Sequence, residues 1–74
     1  MPVKLSDLAI GKAAILDGFA ISQLHKKMLS MGVSPGQSIS VVRRLPLKGN
    51  LYVKINGRAL AFRHEEATQI LVRV

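Results

Sequence analysis

The sequence contains no cysteine or tryptophan, and it has few aromatic and few acidic residues. Without cysteine, neither a disulfide framework nor a thiolate zinc site can stabilise the fold. No apolar segment approaches the roughly 20 residues of a membrane-spanning helix. The first residues, Met1-Pro2-Val3-Lys4, do not lead into the apolar segment of a signal peptide. These absences predict a soluble, cytoplasmic protein.

Acidic residues are scarce enough to leave the chain strongly basic. Four Asp and Glu stand against 11 Lys and Arg, which gives a net charge of +7. Such an excess favours anionic partners, whether nucleic acid, anionic lipid or an acidic protein surface. The alternative is that the charge only keeps a small domain soluble.

No pattern typical of an active site occurs in the sequence. The four acids, Asp7, Asp17, Glu65 and Glu66, do not have the spacing of a general acid–base pair. Neither a nucleophile motif, a phosphate-binding loop nor a dinucleotide fingerprint is present. We therefore expect a protein that is not an enzyme and carries no cofactor.

The 74 residues are predicted to form one domain, residues 1–74, with no room for a second core. Alternating apolar residues and turn signals predict five short strands. They cover residues 12–18, residues 37–44, two arms of a hairpin within residues 51–63, and residues 69–74. The side chains expected to face inward are Ile39, Val41, Leu51, Val53, Leu60, Phe62, Ile70, Val72 and Val74. Before the first strand, residues 3–11 should lay Leu5 and Leu8 on the core. Five bent strands in so short a chain predict a mainly β, partly open barrel.

The hairpin within residues 51–63 has the strongest local signal. Asn56-Gly57 is the favoured dipeptide of a two-residue type I′ loop. That loop would pair Ile55 with Arg58, Val53 with Leu60, and Leu51 with Phe62. The pairing places the apolar residues on one face, so the register and the hydrophobic pattern agree.

One short amphipathic helix is predicted to end at Gly32. Its apolar stripe at helical spacing consists of Ile21, Leu24, Met28 and Met31. Ser22 precedes most of this stripe as the expected N-cap. Gly32 suits the C′ position of a Schellman motif, with Val33 at C″ and Met28 at C3. Pro35-Gly36 then fits the centre of a type II turn.

Metal binding has only weak candidates, namely His64, Glu65 and Glu66, with His25 distant in sequence. A closed site usually needs about four ligands, often with His or Cys two to four residues apart. The alternative is that Glu65 and Glu66 begin a connecting helical turn and favour its N-terminus electrostatically. We expect no tight ferrous iron site in the isolated domain.

Nucleic-acid binding is suggested by charge in the second half of the chain. The basic residues in and around the hairpin are Arg43, Arg44, Lys48, Lys54, Arg58 and Arg63. Single-strand binders combine a basic groove with stacking aromatic side chains. Only Tyr52 is available for stacking, because the hairpin pairing places Phe62 in the core. A solvated basic face explains the pattern equally well.

Four motifs occur in an order that resembles the FeoA family, small cytoplasmic accessory proteins of bacterial ferrous iron transport. They are Leu5-x-x-Leu8-x-x-Gly11, Leu29-x-x-Gly32-x-x-Pro35-Gly36, Pro46-Leu47-x-Gly49 and Leu60-x-Phe62-Arg63-x-x-Glu66-Ala67-x-x-Ile70-x-Val72. The resemblance covers nearly the whole chain. The chain departs from the family's pattern at Lys48-Gly49-Asn50, where the family often has a second glycine or an acidic residue and then proline.

The resemblance implies an SH3-like barrel and a role beside the membrane-embedded, GTP-hydrolysing iron permease FeoB. It also relates the chain to the C-terminal domains of iron-dependent repressors, so a metal-sensing module is an alternative, beside a basic nucleic-acid-binding barrel. We expect a non-enzymatic module that reaches the membrane only through the permease.

The candidate partner surface is the loop at residues 45–50 with its flanks, because SH3-like barrels commonly bind extended peptides between loops. Its residues are Arg43, Arg44, Leu45, Leu47, Lys48 and Tyr52. An exposed leucine would supply apolar burial, and the charges would steer an acidic partner. The alternative is that Leu45 and Leu47 both cap the open end of the barrel.

Overall fold

A computed structural model describes residues 2–74. Its strands are β1 (Val3–Lys4), β2 (Ala13–Phe19), β3 (Ser38–Arg44), β4 (Leu51–Ile55), β5 (Arg58–Phe62) and β6 (Ile70–Arg73). They form one six-stranded sheet in the order β1-β6-β2-β3-β4-β5, and neighbouring strands are antiparallel. Two helices, α1 (Ser22–Ser30) and α2 (His64–Ala67), connect strands of this sheet.

The five predicted strands are all present, and β1 is an additional strand. β1 pairs Val3 with Val72 and Lys4 with Leu71 of β6. A strand of two residues is too short to show an alternating pattern, which is why the sequence did not reveal it. A 3₁₀ turn at Leu5–Asp7 follows, and Leu5 and Leu8 are buried as predicted.

The predicted hairpin register is confirmed. Ile55 pairs with Arg58, Val53 with Leu60, and Leu51 with Phe62. Asn56 and Gly57 both have positive φ, at 49° and 83°, as a type I′ loop requires. The pairing holds because the loop geometry and the apolar face specify the same register.

The core is aliphatic except for one aromatic ring, Phe62. Its buried residues are Leu5, Leu8, Ala14, Leu16, Leu24, Met28, Val33, Ile39, Val41, Leu51, Val53, Ile55, Phe62, Ala67, Ile70 and Val72. Val74, predicted to face inward, is 70% exposed, so that prediction is wrong. Strand β6 ends at Arg73, so Val74 lies beyond the last residue of β6 that pairs with another strand within residues 2–74.

The helix prediction needs two corrections, one to the N-cap residue and one to the apolar stripe. Ile21, not Ser22, is the N-cap residue, with extended backbone angles, and no side chain caps this end. Of the predicted stripe, Leu24 and Met28 are buried, whereas Ile21 and Met31 are 49% and 37% exposed. Both exposed residues lie at the flanking cap positions, outside the helical turns that pack on the sheet.

The predicted helix end is confirmed as a Schellman motif. The Val33 amide donates to the Met28 carbonyl at 2.8 Å, and the Gly32 amide donates to the Leu29 carbonyl at 3.0 Å. Gly32 has φ +80°, a conformation that costs glycine little. Gly36 at φ +95° completes the following turn, in which the Gln37 amide donates to the Ser34 carbonyl.

Candidate functional site

A bulge in β3 sets the geometry at the base of the 45–50 loop. The β3–β4 register shifts between Val41 and Arg43, so Val42 is an extra residue in the ladder. As a result Val42 and Arg43 are both exposed, and Arg43 pairs with Tyr52 of β4, which is 39% exposed. The bulge thus brings a basic and an aromatic residue to neighbouring positions at the protein surface.

The 45–50 loop is held in a strained conformation. The Leu45 amide donates to the Asn50 carbonyl, and the Gly49 amide donates to the Pro46 carbonyl, both at 3.1 Å. Leu47 and Lys48 have consecutive positive φ angles of 58° and 56°. Left-handed backbone costs a non-glycine residue about 1–2 kcal/mol. Two such residues in succession therefore indicate a conformation that the surrounding hydrogen bonds impose.

The loop presents Leu47 entirely to solvent. Leu47 is 99% exposed, whereas Leu45 is half-buried at the loop base. The alternative that both leucines cap the core therefore does not hold for Leu47. A glycine is required at position 49, because a Cβ there would lie 2.7 Å from the Leu45 Cβ. The tight loop base thus projects a large apolar side chain away from the core.

The two adjacent arginines at the end of β3 have different environments. Arg43 is exposed, but Arg44 is half-buried and its Nη2 donates to the Ser6 carbonyl at 3.0 Å and the Leu8 carbonyl at 2.6 Å. The Arg44 Nε is buried and has no hydrogen-bond partner within residues 2–74. Arg44 therefore ties the end of β3 to the 3₁₀ segment, and Arg43 and Lys48 are the exposed charges of the loop.

Arg58 is a second arginine whose side chain donates a hydrogen bond to the backbone. Arg58, at the start of β5, donates from Nη2 to the Met31 carbonyl at 3.0 Å. This places a cation at the C-terminus of α1, where the helix dipole favours it. No sequence pattern indicates this contact, because the two residues are 27 positions apart. Arg44 and Arg58 therefore have structural contacts and differ from the freely exposed Lys54.

The weak metal candidates do not form a cluster with other ligands. No group of three or more His, Asp and Glu residues that could hold a metal ion occurs in the described part of the chain. Glu66 Oε2 lies 2.8 Å from Lys27 Nζ, and Glu66 Oε1 accepts from the Arg63 amide at 2.9 Å. Glu65 and Glu66 lie in the first turn of α2. The Glu66 carboxylate thus caps the N-terminus of α2 and links this helix to α1 through Lys27.

The Glu66 contacts predict a small acid sensitivity. The hydrogen bond from Lys27 is the main cause that lowers the pKa of Glu66 from 4.5, and partial burial opposes it. Because the folded pKa is the lower one, the interaction stabilises the fold above the unfolded pKa and is lost as the pH falls through the folded value. Glu66→Gln should lower the free energy of unfolding by about 0.5 kcal/mol at pH 7, and the difference from wild type should vanish in acid.

Chemical unfolding between about pH 2.5 and pH 7 measures this effect. Glu65→Gln is the matched control, because it removes the same charge from an exposed neighbour in α2. Equal pH profiles for the two variants would contradict the assignment to Glu66.

A shallow concavity lies on the outer face of β3, β4 and β5. It has a volume of about 280 Å³ and is lined chiefly by Val42, Tyr52, Lys54, Ala59 and Ala61. Val42 lies on this face together with Ser38 and Ser40, as the alternation along β3 places it. The bulge adds Arg43 to the same face, opposite Tyr52, and the sequence pattern did not reveal that. The concavity continues the exposed surface from Tyr52 toward β5.

Comparison with protein families decides the relationship of the chain. The model of the FeoA domain matches residues 3–74. The chain belongs to the FeoA family. The resemblance seen in the sequence motifs is therefore confirmed, and the family is associated with ferrous iron transport.

Solved structures of FeoA proteins share this fold. Iron(II) transport protein A from Clostridium thermocellum is 37% identical with a TM-score of 0.86, and the match covers 97% of this chain and 45% of that one. FeoA from Chlorobium tepidum is 30% identical with a TM-score of 0.86, covering 97% and 70%. Zinc-complexed FeoA from Stenotrophomonas maltophilia, a procaryotic SH3 domain protein, is 21% identical with a TM-score of 0.77, covering 95% and 88%. Comparison with curated proteins finds no significant match.

These comparisons confirm the predicted SH3-like fold, with one more strand than expected. Within residues 2–74, none of the helices has the length and apolar character needed to cross a bilayer.

Proposed function

We propose that this FeoA-family chain is a non-enzymatic, cytoplasmic accessory protein of bacterial ferrous iron uptake that acts by contact with the FeoB-type membrane permease. The observation that carries the proposal is the loop at residues 45–50, which holds Leu47 in solvent on a strained backbone beside Arg43 and Lys48. Backbone strain concentrates at functional sites, where the surrounding structure maintains it. Family membership supplies the iron-transport context.

The loop has the two components of a small protein contact. Leu47 can bury a full aliphatic side chain in a partner, which stabilises binding by about 1.5–3 kcal/mol. Arg43 and Lys48 can accelerate association with an acidic surface. Arg44 and Leu45 hold the loop base in place, and Tyr52 extends the contact surface beside Arg43.

We expect Leu47→Ser to weaken association with the permease's cytosolic domain roughly ten- to hundredfold, mainly through faster dissociation. The thermal melt should not change, because Leu47 contributes nothing to the core. Surface binding kinetics and thermal unfolding are the measurements. Leu29→Ser is the matched control, since Leu29 is 50% exposed on α1. Wild-type binding by Leu47→Ser, or equal loss in both variants, would place the contact elsewhere.

We expect Arg43→Glu combined with Lys48→Glu to slow association roughly tenfold or more at low salt. The effect should shrink as salt is raised, because screening weakens interactions between exposed charges. Lys12→Glu combined with Lys26→Glu is the control, because it changes the net charge equally at exposed positions outside the loop. If both pairs slow association equally, the steering depends on net charge and not on the loop.

A further inference from the structure

We propose that β5 is an open sheet edge to which an acidic, extended segment of a partner protein adds as a further strand. This surface is distinct from the tip of the 45–50 loop and does not depend on the permease being the partner. Strand addition of this kind uses main-chain hydrogen bonds for affinity and alternate side chains for specificity.

The register of the hairpin determines which backbone groups of β5 face outward. In a two-residue hairpin the residues flanking the loop form a hydrogen-bonded pair, and such pairs alternate along the ladder. Ile55–Arg58 and Val53–Leu60 are therefore bonded pairs, given the observed register. Ala59 and Ala61 direct their N–H and C=O groups away from β4. β5 is the last strand of the sheet, and no other hydrogen bond within residues 2–74 engages these groups.

The edge lacks the features that usually prevent strand addition. Such features are proline, bulges, inward-pointing charges and a covering segment. The β4–β5 pairing has no register shift, whereas the β2–β6 and β3–β4 pairings each have one. Ala59 and Ala61 are exposed, and their small side chains permit the close approach of another strand. The opposite edge, β1, has only two residues and offers much less backbone.

Charge identifies the occupant as acidic. Residues 18–64 contain no Asp or Glu. Outside that stretch, Asp17 is paired with Arg73 and Glu66 with Lys27, and the other two acids are exposed Asp7 and Glu65. Near the edge, Lys54 lies across the ladder from Ala59, and exposed Arg63 follows the end of β5. Along β5 itself, an added strand with alternating acidic residues would therefore meet positive charge and no carboxylate.

The neighbouring side chains indicate the pattern of the added strand. An acidic residue opposite Ala59 would approach the ammonium group of Lys54. An apolar residue opposite Ala61 would extend the concavity beside Tyr52, which pairs with Ala61. A second copy of the chain is a poor occupant, because edge-to-edge pairing would bring Lys54 and Arg63 of two chains of charge +7 together.

The test uses a blocked synthetic heptapeptide that alternates threonine with glutamate and valine, titrated into the ¹⁵N-labelled chain. Saturable shifts should centre on the Ala59 and Ala61 amides, and their hydrogen exchange should slow. Two further peptides are N-methylated at every second residue, one at the odd-numbered positions and the other at the even-numbered positions. One of them should bind at least tenfold more weakly, since it loses the donors that face β5, while the other should bind like the parent. Replacing the glutamates with lysine should also weaken binding at least tenfold.

A protein variant tests the same edge from the other side. Ala61→Pro removes an outward N–H without removing a bond to β4, so it should weaken peptide binding at least tenfold. Because this variant could lose its fold, the N-methylated peptides provide a test on the unchanged protein. Equal binding of all acidic peptides, shifts confined to the 45–50 loop, or no saturable binding at about millimolar peptide would overturn the proposal. Concentration-dependent shifts of Ala59 and Ala61 without peptide would instead assign the edge to a second copy.

Discussion

Arg44→Glu should abolish most of the stability of the domain, while Arg43→Glu should leave the fold intact. The Arg44 guanidinium donates to the Ser6 and Leu8 carbonyls at a half-buried position. Hydrogen bonds of a charged group contribute about 1.5–3 kcal/mol each, and a carboxylate would place an acceptor against two acceptors. A loss above about 3 kcal/mol is comparable to the 3–5 kcal/mol that so small a core supplies.

The pair forms its own control, because adjacent residues receive the same change of charge. Chemical and thermal unfolding at pH 7 measure the difference, with Arg44→Lys as an intermediate that keeps the charge and one donor group. Melting temperatures for Arg44→Glu and Arg43→Glu within a few degrees of each other would contradict the structural role of Arg44. This result also determines which charge reversals are usable in binding experiments.

Gly32→Val should destabilise the domain by about 2–3 kcal/mol. A β-branched residue at φ +80° is strained, at a cost of about 1–2 kcal/mol. A Cβ at this position would also lie 3.2 Å from Arg58 Nη2, the group that donates to the Met31 carbonyl. Displacing that hydrogen bond should cost about 1 kcal/mol more.

Two variants separate these causes in urea unfolding. Gly36→Val has a similar positive φ but no neighbour near its Cβ, so it should show only the strain. Gly32→Asn should be milder than Gly32→Val, because asparagine tolerates left-handed backbone. An unchanged unfolding midpoint for Gly32→Val would show that the helix does not depend on this stop.

Short-range chemistry made part of the fold predictable from the sequence. The hairpin register follows from Asn56-Gly57 and the alternation on either side, and the helix end follows from Gly32 and Val33. In each case the interacting groups lie within a few residues of one another, so composition and spacing specify the geometry. The same local reasoning failed at Ser22 and Val74, because their roles depend on how the chain enters the helix and where the sheet ends.

Long-range contacts made the candidate site only partly predictable. The basic residues and leucines of the 45–50 loop were evident from sequence, but their separate roles were not. Arg44 contacts carbonyls 36 and 38 residues away, and Arg58 contacts one 27 residues away. The periodicity of a sequence cannot predict contacts between residues so far apart, because these contacts form only after the strands have paired.

The sequence by itself determined the family, the hairpin, the helix end and the scarcity of acids. Tertiary structure decided which charges are free, that Leu47 is exposed, that the bulge brings Arg43 to the outer surface, and that β5 ends the sheet. The physical reason is the range of the interactions. Turn and capping preferences act between neighbours along the chain, whereas burial, bulges and edges depend on which strands meet when the sheet forms.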